Sequence, residues 1–350
     1  MKAEMKPRIE LENRTKLEEV IPIETPFLVF LDPADVCNFQ CKFCPTGNRA
    51  LIKKINRKPV LMDFDLYKKI INDLCAFEKP IKVLRLYKDG EPLLHPRFAD
   101  MVRYAKEQEC ALQVDTTTNG SLLNPKKNLE LIEAGLDRIH ISLEGLSDEF
   151  YKEFAGYKIN FNKLFENIRH FYEHKKNCIV CVKIVGDGLS EEEKDRFFNI
   201  FGDIADRIFI EHVAPCWPKF EMQDVVPNSE VGIYGQEIKE VEVCPYIFYS
   251  LSINSDGKVS LCFLDWSREL IVGDVKTESF KDIWNSETLF EYRRMHLLKR
   301  RKEHAICAVC GQLSHCLPDD IDAFAENLLE RLESSRLINK KGIRKMEKYG

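Results

Sequence analysis

The chain has 350 residues, of which 44% are hydrophobic and 31% charged, a composition typical of a protein that buries a sizeable core. Its 52 basic and 57 acidic side chains give a net charge of −5, so charge gives no reason to expect a nucleic-acid partner or an anionic membrane partner. Residues 1–16 lack the apolar core of a signal peptide, and no apolar run approaches the roughly 18 residues of a membrane span. We therefore expect a cytoplasmic protein with one large and one smaller domain.

Thirteen cysteines are many for a chain of this length, and they are clustered rather than evenly spread. Their number is odd, and no export signal precedes them. Metal ligation therefore explains the cysteines better than disulfide bonds.

Strand-like and helix-like stretches alternate after a polar lead-in at residues 1–26. The predicted strands are Phe27–Leu31, Lys82–Tyr87, Ala111–Asp115, Arg138–Leu143, Cys178–Val185 and Arg207–Val213. The predicted helices between them are Leu66–Cys75, Phe98–Gln108, Leu129–Ala134, Phe161–His174 and Glu191–Phe201. Six βα alternations predict an α/β fold with a parallel sheet and helices on its outer face. Chemistry in such folds is placed at the C-terminal ends of the strands.

The last third of the chain differs in pattern from the alternating part. Residues 216–243 are irregular and contain prolines, which predicts a linker. Residues 244–318 predict a small cysteine-rich α+β domain, and residues 319–350 a C-terminal helix (Ile321–Leu337) with a basic tail. Within the small domain, the predicted elements are a hairpin of Ile247–Ile253 and Lys258–Phe263 and an amphipathic helix over Phe280–Leu298.

The motif that dominates the sequence is Cys37-Asn38-Phe39-Gln40-Cys41-Lys42-Phe43-Cys44, directly after the first predicted strand. Three thiolates can ligate three irons of a [4Fe–4S] cube and leave the fourth iron open to a small molecule. The spacing C-x3-C-x2-C, with an aromatic residue before the last cysteine, resembles the signature of the radical S-adenosylmethionine (radical SAM) enzymes. The alternatives are a structural zinc site that lacks its fourth ligand, or three unrelated buried thiols.

The resemblance implies a partial (β/α)6 TIM-like barrel over residues 27–215, with SAM bound to the open iron. It implies that an external reductant, a flavodoxin- or ferredoxin-type electron donor, reduces the cluster. SAM is then split to methionine and a 5′-deoxyadenosyl radical, which abstracts a hydrogen atom from the substrate. The resemblance also places Phe43 beside the adenine of SAM.

Polar turns follow the later strands. Asp89-Gly90-Glu91-Pro92 resembles the family's Gly-Gly-Glu-Pro element, whose backbone and glutamate hold the amino group of SAM, although Asp89 replaces the first glycine. The resemblance implies further SAM contacts at four positions: Asn119, Ser142, Glu144 and Ile184. For Asn119 an ordinary turn, and for Ile184 core packing, are the alternatives.

The C-terminal cysteines follow a second pattern, Cys244-x12-Gly257-x4-Cys262 and then Cys307-x2-Cys310-x5-Cys316. This pattern resembles the SPASM domain, a radical SAM appendage that carries auxiliary [4Fe–4S] clusters. The full pattern continues with a cysteine where this chain has Asp320. Five cysteines cannot fully ligate two clusters, so we predict one auxiliary cluster held by four of these five. A zinc-ribbon-like site is the alternative, and a ligand role for Cys216 stays open.

Three residues are candidates for contact with the substrate. Asp265 lies three residues after Cys262, and in some SPASM enzymes an aspartate directly after this cysteine accepts the substrate proton. Glu211 and His212, at the end of the sixth predicted strand, would point into the mouth of the barrel. A satisfied structural pair is an equal interpretation of those two residues.

Together these patterns predict a radical SAM/SPASM enzyme, and an auxiliary cluster favours a net two-electron oxidation. We expect a small-molecule substrate, a polyol, sugar or aminoglycoside-like alcohol that is dehydrogenated or epimerised. The short segment before Cys37 makes a peptide-recognition domain less expected. Modification of a peptide or protein side chain is the alternative, and a non-catalytic zinc or Fe–S binding module is a distant one.

Overall fold

A ten-stranded sheet organises the computed structural model, which describes residues 1–316 and 319–346. The strands are β1 Glu4–Met5, β2 Leu28–Leu31, β3 Ile81–Arg85, β4 Ala111–Thr118, β5 Arg138–Leu143, β6 Ile179–Val185, β7 Arg207–Glu211, β8 Ser250–Ile253, β9 Lys258–Ser260 and β10 Ile271–Asp274. Their order across the sheet is β1-β7-β6-β5-β4-β3-β2-β8-β9-β10.

Helices cover the outer face of this sheet and complete the C-terminal part. They are α1 Leu17–Val20, α2 Arg49–Lys54, α3 Phe64–Leu74, α4 Phe98–Glu107, α5 Pro125–Glu133, α6 Asp148–Phe154, α7 Phe161–His174, α8 Glu191–Phe201, α9 Tyr246–Tyr249, α10 Phe280–Trp284, α11 Glu287–Leu297, α12 Ala305–Ala308, α13 Gln312–His315 and α14 Ala325–Met346. Short 3-10 turns lie at Pro45–Gly47, Pro92–Leu94, Arg301–Glu303 and Asp322–Phe324. None of the described helices is long and apolar enough to cross a membrane.

Side-chain caps define where the barrel helices begin. Asp63 accepts hydrogen bonds from two backbone N–H groups at the start of α3, and Asn124 and Asn160 each accept one at the start of α5 and α7. Ser190 and Glu193 form a reciprocal capping box on α8. Such caps satisfy backbone donors that have no partner within a helix. The starts of these helices are therefore determined by residues nearby in the sequence.

Strands β2 to β7 run parallel in chain order, which confirms the predicted partial barrel. Alternate residues of each strand face the helices or the lumen of the barrel. Val114, Ile139 and Ile141 belong to the buried core between sheet and helices. Asp115 and His140 lie on the opposite side, so the lumen is polar where the outer face is apolar.

The sheet continues beyond the barrel at both ends. β8 pairs parallel with β2, from Leu28 opposite Ser250 to Leu31 opposite Ile253, and β1 pairs parallel with β7. The lead-in and the C-terminal part therefore share one sheet with the barrel. The predicted domain boundaries at 26/27, 215/216, 243/244 and 318/319 remain predictions, and the sheet joins residues on both sides of the first three.

Local details of the C-terminal part differ from the sequence prediction. The predicted helix over Phe280–Leu298 is two helices, because Ser286 caps a new helix and accepts a hydrogen bond from Leu289 N (3.2 Å). The predicted strand from Ile247 begins as the helical turn α9, and β10 was not predicted. Residues 317–318 and the end of the basic tail, 347–350, lie outside the described residues.

Candidate active site at the C-terminal ends of the barrel strands

Cys37, Cys41 and Cys44 lie on a compact loop that directly follows β2. Within the loop, Cys44 N donates to Cys41 O (3.1 Å) and Gly47 N donates to Cys44 O (3.0 Å). Gly47 permits this packing, because a Cβ atom there would lie 2.6 Å from Cys41 O. Phe39 N also donates to Cys37 Sγ (3.4 Å). The loop therefore presents three free, half-buried thiols from one short segment.

The three thiols form a donor set that fits an iron–sulfur cube with one open corner. Burial raises the pKa of Cys37 to about 12 and also raises the pKa of Cys41 and of Cys44. Without metal the thiols therefore stay protonated, and cluster assembly would release their protons. Cysteine thiolates are the ligands that hold iron–sulfur clusters in proteins.

The Asp89–Pro92 turn packs directly on the cysteine loop. Glu91 N donates to Val36 O (2.9 Å), and a Cβ atom on Gly90 would lie 2.0 Å from Ala34 O. Glycine is thus required at position 90 by the close approach of the two backbones. The turn and the cysteine loop form one unit, as the sequence motifs predict.

The Glu91 carboxylate is buried and is held by protein donors. It accepts hydrogen bonds from Leu93 N (2.9 Å), Thr118 Oγ1 (2.7 Å) and Asn119 N (2.8 Å). Burial raises the pKa of Glu91 in spite of these bonds. The side chain therefore joins the ends of β3 and β4, and its contact with SAM remains a prediction.

Three of the other residues that are predicted to contact SAM lie beside the cysteine loop or on the lumen side of the barrel. Asn119 donates to Asn38 Oδ1 (2.9 Å), and Glu144 is buried beside Cys41, with its pKa raised to about 7 by burial. Ser142 pairs across the strands with Lys183 on the lumen side.

Phe43 and Ile184 pack against apolar neighbours. The Phe43 ring lies 5.5 Å from that of Phe154. Ile184 pairs across the strands with Leu143, and both belong to the core that faces the helices. The structure does not bring Ile184 to the site, which favours the core-packing alternative.

Asp89 belongs to a buried ion cluster that the sequence patterns did not reveal. Its Oδ2 lies 2.7 Å from Lys88 Nζ, 2.9 Å from Arg268 Nη2 and 3.8 Å from Arg57 Nη1. Burial alone would raise the pKa of Asp89, but the three cations outweigh burial and hold the pKa at about 2. Burial and the nearby Asp89 raise the pKa of Asp32 to about 7.

Arg57 connects the cysteine loop with the C-terminal part. Its guanidinium donates to Thr46 Oγ1 (2.9 Å), two residues after Cys44, and to Trp266 O (2.9 Å), four residues after Cys262. No motif marks Arg57, because its partners are distant in sequence. Only the tertiary structure reveals this connection.

Each predicted catalytic residue has protein partners. Asp265 accepts from Ser260 Oγ (2.8 Å) and from two backbone N–H groups, and so fixes the turn after β9. Glu211 binds Lys183 and lies 3.4 Å from Arg8 Nε. Burial alone would raise the pKa of Glu211, but these two cations lower it.

His212 Nδ1 lies 2.9 Å from Asp187 Oδ1, so this side chain is also paired. All three predicted catalytic residues are therefore paired with other protein groups. Of the three, only Glu211 belongs to the charged interior of the barrel.

Four of the five C-terminal cysteines come together. Cys244, Cys262, Cys307 and Cys310 line one apolar pocket, with Ile247, Leu261, Leu264, Leu270, Ile306 and Leu313 among its walls. Among the described residues, no three metal-binding side chains are close enough to hold a single ion. A cube instead spreads its four thiolates over four corners, and four thiols around one apolar pocket fit such a cube. His296, whose Nε2 has no hydrogen-bond partner among the described residues, also lines this pocket.

Cys316 lies elsewhere. Its thiol lies close to that of Cys216, and both line the barrel cavity. Asp320, which stands at the next position of the cysteine pattern, pairs with Lys239.

Comparisons with known proteins agree with the fold and the cysteine sets. The model of the radical SAM superfamily matches residues 31–199, and that of SPASM, an iron–sulfur cluster-binding domain, matches residues 244–311. The chain belongs to the radical SAM superfamily and carries a SPASM domain. It is therefore an enzyme of the class that binds a [4Fe–4S] cluster and SAM, with a domain for auxiliary iron–sulfur clusters.

Curated relatives align along most of the chain. A tungsten-containing aldehyde ferredoxin oxidoreductase cofactor-modifying protein of Pyrococcus furiosus is 25% identical, over 82% of this chain and 88% of its own. An AdoMet-dependent heme synthase of Methanosarcina barkeri is 27% identical, over 83% and 90%. The solved structure of BtrN in complex with AdoMet and 2-DOIA is 19% identical, covers 85% of this chain and 97% of that chain, and superimposes with a TM-score of 0.53. The last similarity supports the fold.

Proposed function

We propose that this protein is a radical SAM oxidoreductase that oxidises or epimerises a small molecule with the help of one auxiliary [4Fe–4S] cluster. The observation that carries the proposal is the presence of two separate cysteine sets. One has three thiols beside the Asp89–Pro92 turn, and the other has four thiols around an apolar pocket. When bound, these cofactors supply an electron, a 5′-deoxyadenosyl radical that removes a hydrogen atom, and an acceptor for the electron left on the substrate.

The residues around the first set would hold and orient SAM. Gly90 lets the backbone of the turn approach the cysteine loop closely, and Asn119 and Glu144 lie beside that loop. Ser142 lies on the lumen side of β5, opposite Lys183. In this proposal these side chains fix SAM at the end of the barrel, with its reactive carbon towards the lumen.

The size of the barrel cavity supports a small substrate. The cavity has a volume of about 500 Å³, within the range of pockets that enclose small molecules. The relatives named for heme synthesis and for cofactor modification are also named for action on small molecules. Asp265, Glu211 and His212 are assigned to positioning rather than proton transfer, because each is held by protein partners.

Anaerobic reconstitution with iron and sulfide tests the proposal. We expect about eight irons per chain, as two cubes require, and release of 5′-deoxyadenosine after addition of SAM and dithionite. The Cys37→Ala/Cys41→Ala/Cys44→Ala variant should lose about four irons and all 5′-deoxyadenosine. Cys75→Ala, which removes an exposed thiol on the outside, is the matched control. Absence of 5′-deoxyadenosine from the wild type, or equal release by the triple variant, contradicts the proposal.

A further inference from the structure

The lumen of the barrel contains a cavity of about 500 Å³ that the described SAM contacts do not fill. Strands β2 to β5 form one wall, and the lead-in forms another through residues 8–17. Glu10 and Asn13 are exposed at its edge, so the cavity opens to solvent beside the lead-in. Cys216 and Cys316 lie on the side of the C-terminal part.

The interior of the barrel carries more positive than negative charge around His140. Four cationic side chains lie near this imidazole: Arg8, Arg85, Arg138 and Lys183. Two carboxylates accompany them. Asp115 lies 2.8 Å from Arg85 Nη2, and Glu211 is shared by two of the other cations. Among the described residues this leaves Arg138 without a carboxylate within 4 Å, and its Nε donates to no protein acceptor.

His140 is a buried polar group without a partner. Its side chain is 2% exposed, and neither ring nitrogen makes a hydrogen bond with a described residue. Its Nε2 lies 3.9 Å from Asp115 Oδ2, too far for a hydrogen bond. Burial lowers the pKa of His140, and the surrounding cations lower it further. Buried polar side chains almost always have a hydrogen-bond partner. His140 does not itself line the cavity, whereas its cationic neighbours Arg85 and Arg138 do, so those two side chains would meet a bound molecule.

We propose that Arg138 binds an oxyanion of the substrate, a carboxylate or a phosphate, inside the barrel cavity that it lines. A guanidinium offers parallel N–H donors that match both groups. The inference rests on the proposed function, because it takes the cavity as the substrate site of that enzyme. The inference narrows the proposed class of substrates to molecules that carry an acidic group. An amine-bearing, aminoglycoside-like substrate would bring a further positive charge into an interior that already has an excess.

Calorimetric titration of the reconstituted, SAM-bound protein with four matched sugars tests this inference. The probes are glucose, glucosamine, gluconate and glucose 6-phosphate, which share one carbon skeleton and differ in charge. We expect gluconate or glucose 6-phosphate to bind at least tenfold more tightly than glucose, and glucosamine to bind most weakly.

Arg138→Gln should weaken binding of the anionic probe by about tenfold to hundredfold and leave glucose unchanged, because a charge-assisted contact is lost. Arg138→Lys should recover part of the affinity, since the charge returns without the planar fork. Arg103→Gln makes the same charge change on the outer surface of α4 and should behave as the wild type. If Arg138→Gln does not fold, Arg138→Lys is judged in its place, and its affinity for the anionic probe should stay below that of the wild type.

The inference is wrong if the two acids bind no more tightly than glucose, or if a folded Arg138→Gln protein binds them as the wild type does. Release of 5′-deoxyadenosine by dithionite without substrate is measured in the same samples. If 5′-deoxyadenosine forms and anion binding is absent, only this inference fails. If the wild type releases none, the proposed function fails, whatever the probes do.

Discussion

The two cysteine sets of this molecule are assembled in opposite ways. The first set comes from one loop, in which three thiols are held by hydrogen bonds between near neighbours and by the close packing of Gly47. The second set comes from four positions between residues 244 and 310, brought together by a hairpin and by short helices. A local set can be recognised by its spacing. A set built from distant positions depends on the tertiary structure. Its spacing in the sequence identifies candidate cysteines but does not show which of them come together.

The strongest test of this comparison separates Cys262 from Cys316, which belong to the same sequence pattern. Cys262→Ala should lose about four of eight irons, because it removes one corner of the second set, yet retain release of 5′-deoxyadenosine. Cys316→Ala should keep the full iron content, since its thiol lies close to that of Cys216 and outside the pocket of the other four. Iron analysis after anaerobic reconstitution measures both. Loss of iron from Cys316→Ala and not from Cys262→Ala would reverse the assignment.

A second test breaks the connection between the two sets. Arg57→Leu should lower the free energy of unfolding by about 3–5 kcal/mol, because it removes one cation from a buried ion cluster. Its hydrogen bonds to Thr46 and Trp266 are lost at the same time. Denaturant unfolding of the metal-free protein provides the measurement.

The matched control for this connection is Arg49→Leu, an exposed arginine on α2. Equal unfolding midpoints for the two variants would mean that Arg57 contributes no more than a surface residue.

A third test concerns only the first cysteine set, which lies on one loop. Gly90→Ala places a Cβ atom against the backbone of the cysteine loop, 2.0 Å from Ala34 O. We expect a loss of about 1–3 kcal/mol in the free energy of unfolding, typical of overpacking, and weaker assembly of the first cluster. Unfolding curves and iron content measure the two effects. Unchanged iron content together with unchanged stability would show that the loop shifts without cost.

A fourth test concerns the dependence of stability on pH. The carboxyl of Asp32 has a pKa of about 7 in the folded protein, against an ordinary value of 3.8, and faces Asp89, Arg268, Lys88 and Asp35. Between these two pKa values the native state binds more protons than the unfolded state, so this residue makes stability fall as pH rises from about 4 to about 7. Asp32→Asn should remove this slope and stabilise the protein at pH 8 by about 1–3 kcal/mol.

Unfolding of the wild type and of Asp32→Asn between pH 4 and pH 8 provides the measurement for Asp32. If the free energy of unfolding changes with pH in the same way in both proteins, the raised pKa of Asp32 is contradicted.

Local patterns predicted the central features of the molecule. The six parallel strands with the helices between them, the three-cysteine loop and the turn at Asp89–Pro92 are each encoded within a short stretch, by periodicity, caps or spacing. Gly257 closes the predicted hairpin turn with a φ of +90°, a conformation that favours glycine.

The features that sequence reasoning missed depend on contacts between distant residues. Arg57, most of the cations around His140 and the proximity of Cys216 to Cys316 have no mark in the sequence, because these partners lie far apart along the chain. Ile184 shows the same limit on a smaller scale. Its position near a strand end is visible in the sequence, but the side of the sheet that it faces depends on the strand register.

A partial barrel has a difficulty that a closed barrel avoids. Its first and last strands each have a free edge of backbone N–H and C=O groups, which can recruit strands of other molecules. Here β8 pairs with all of β2, and β1 pairs with the first two residues of β7, so the chain itself covers the first edge of the barrel and part of the other. The outermost strands are then β1, with two residues, and β10, with four and an irregular register, both poor templates for further pairing. The pairing of β8 with β2 thus has a second consequence: the part of the chain that carries the auxiliary cysteines also occupies a strand edge that would otherwise be open to another molecule.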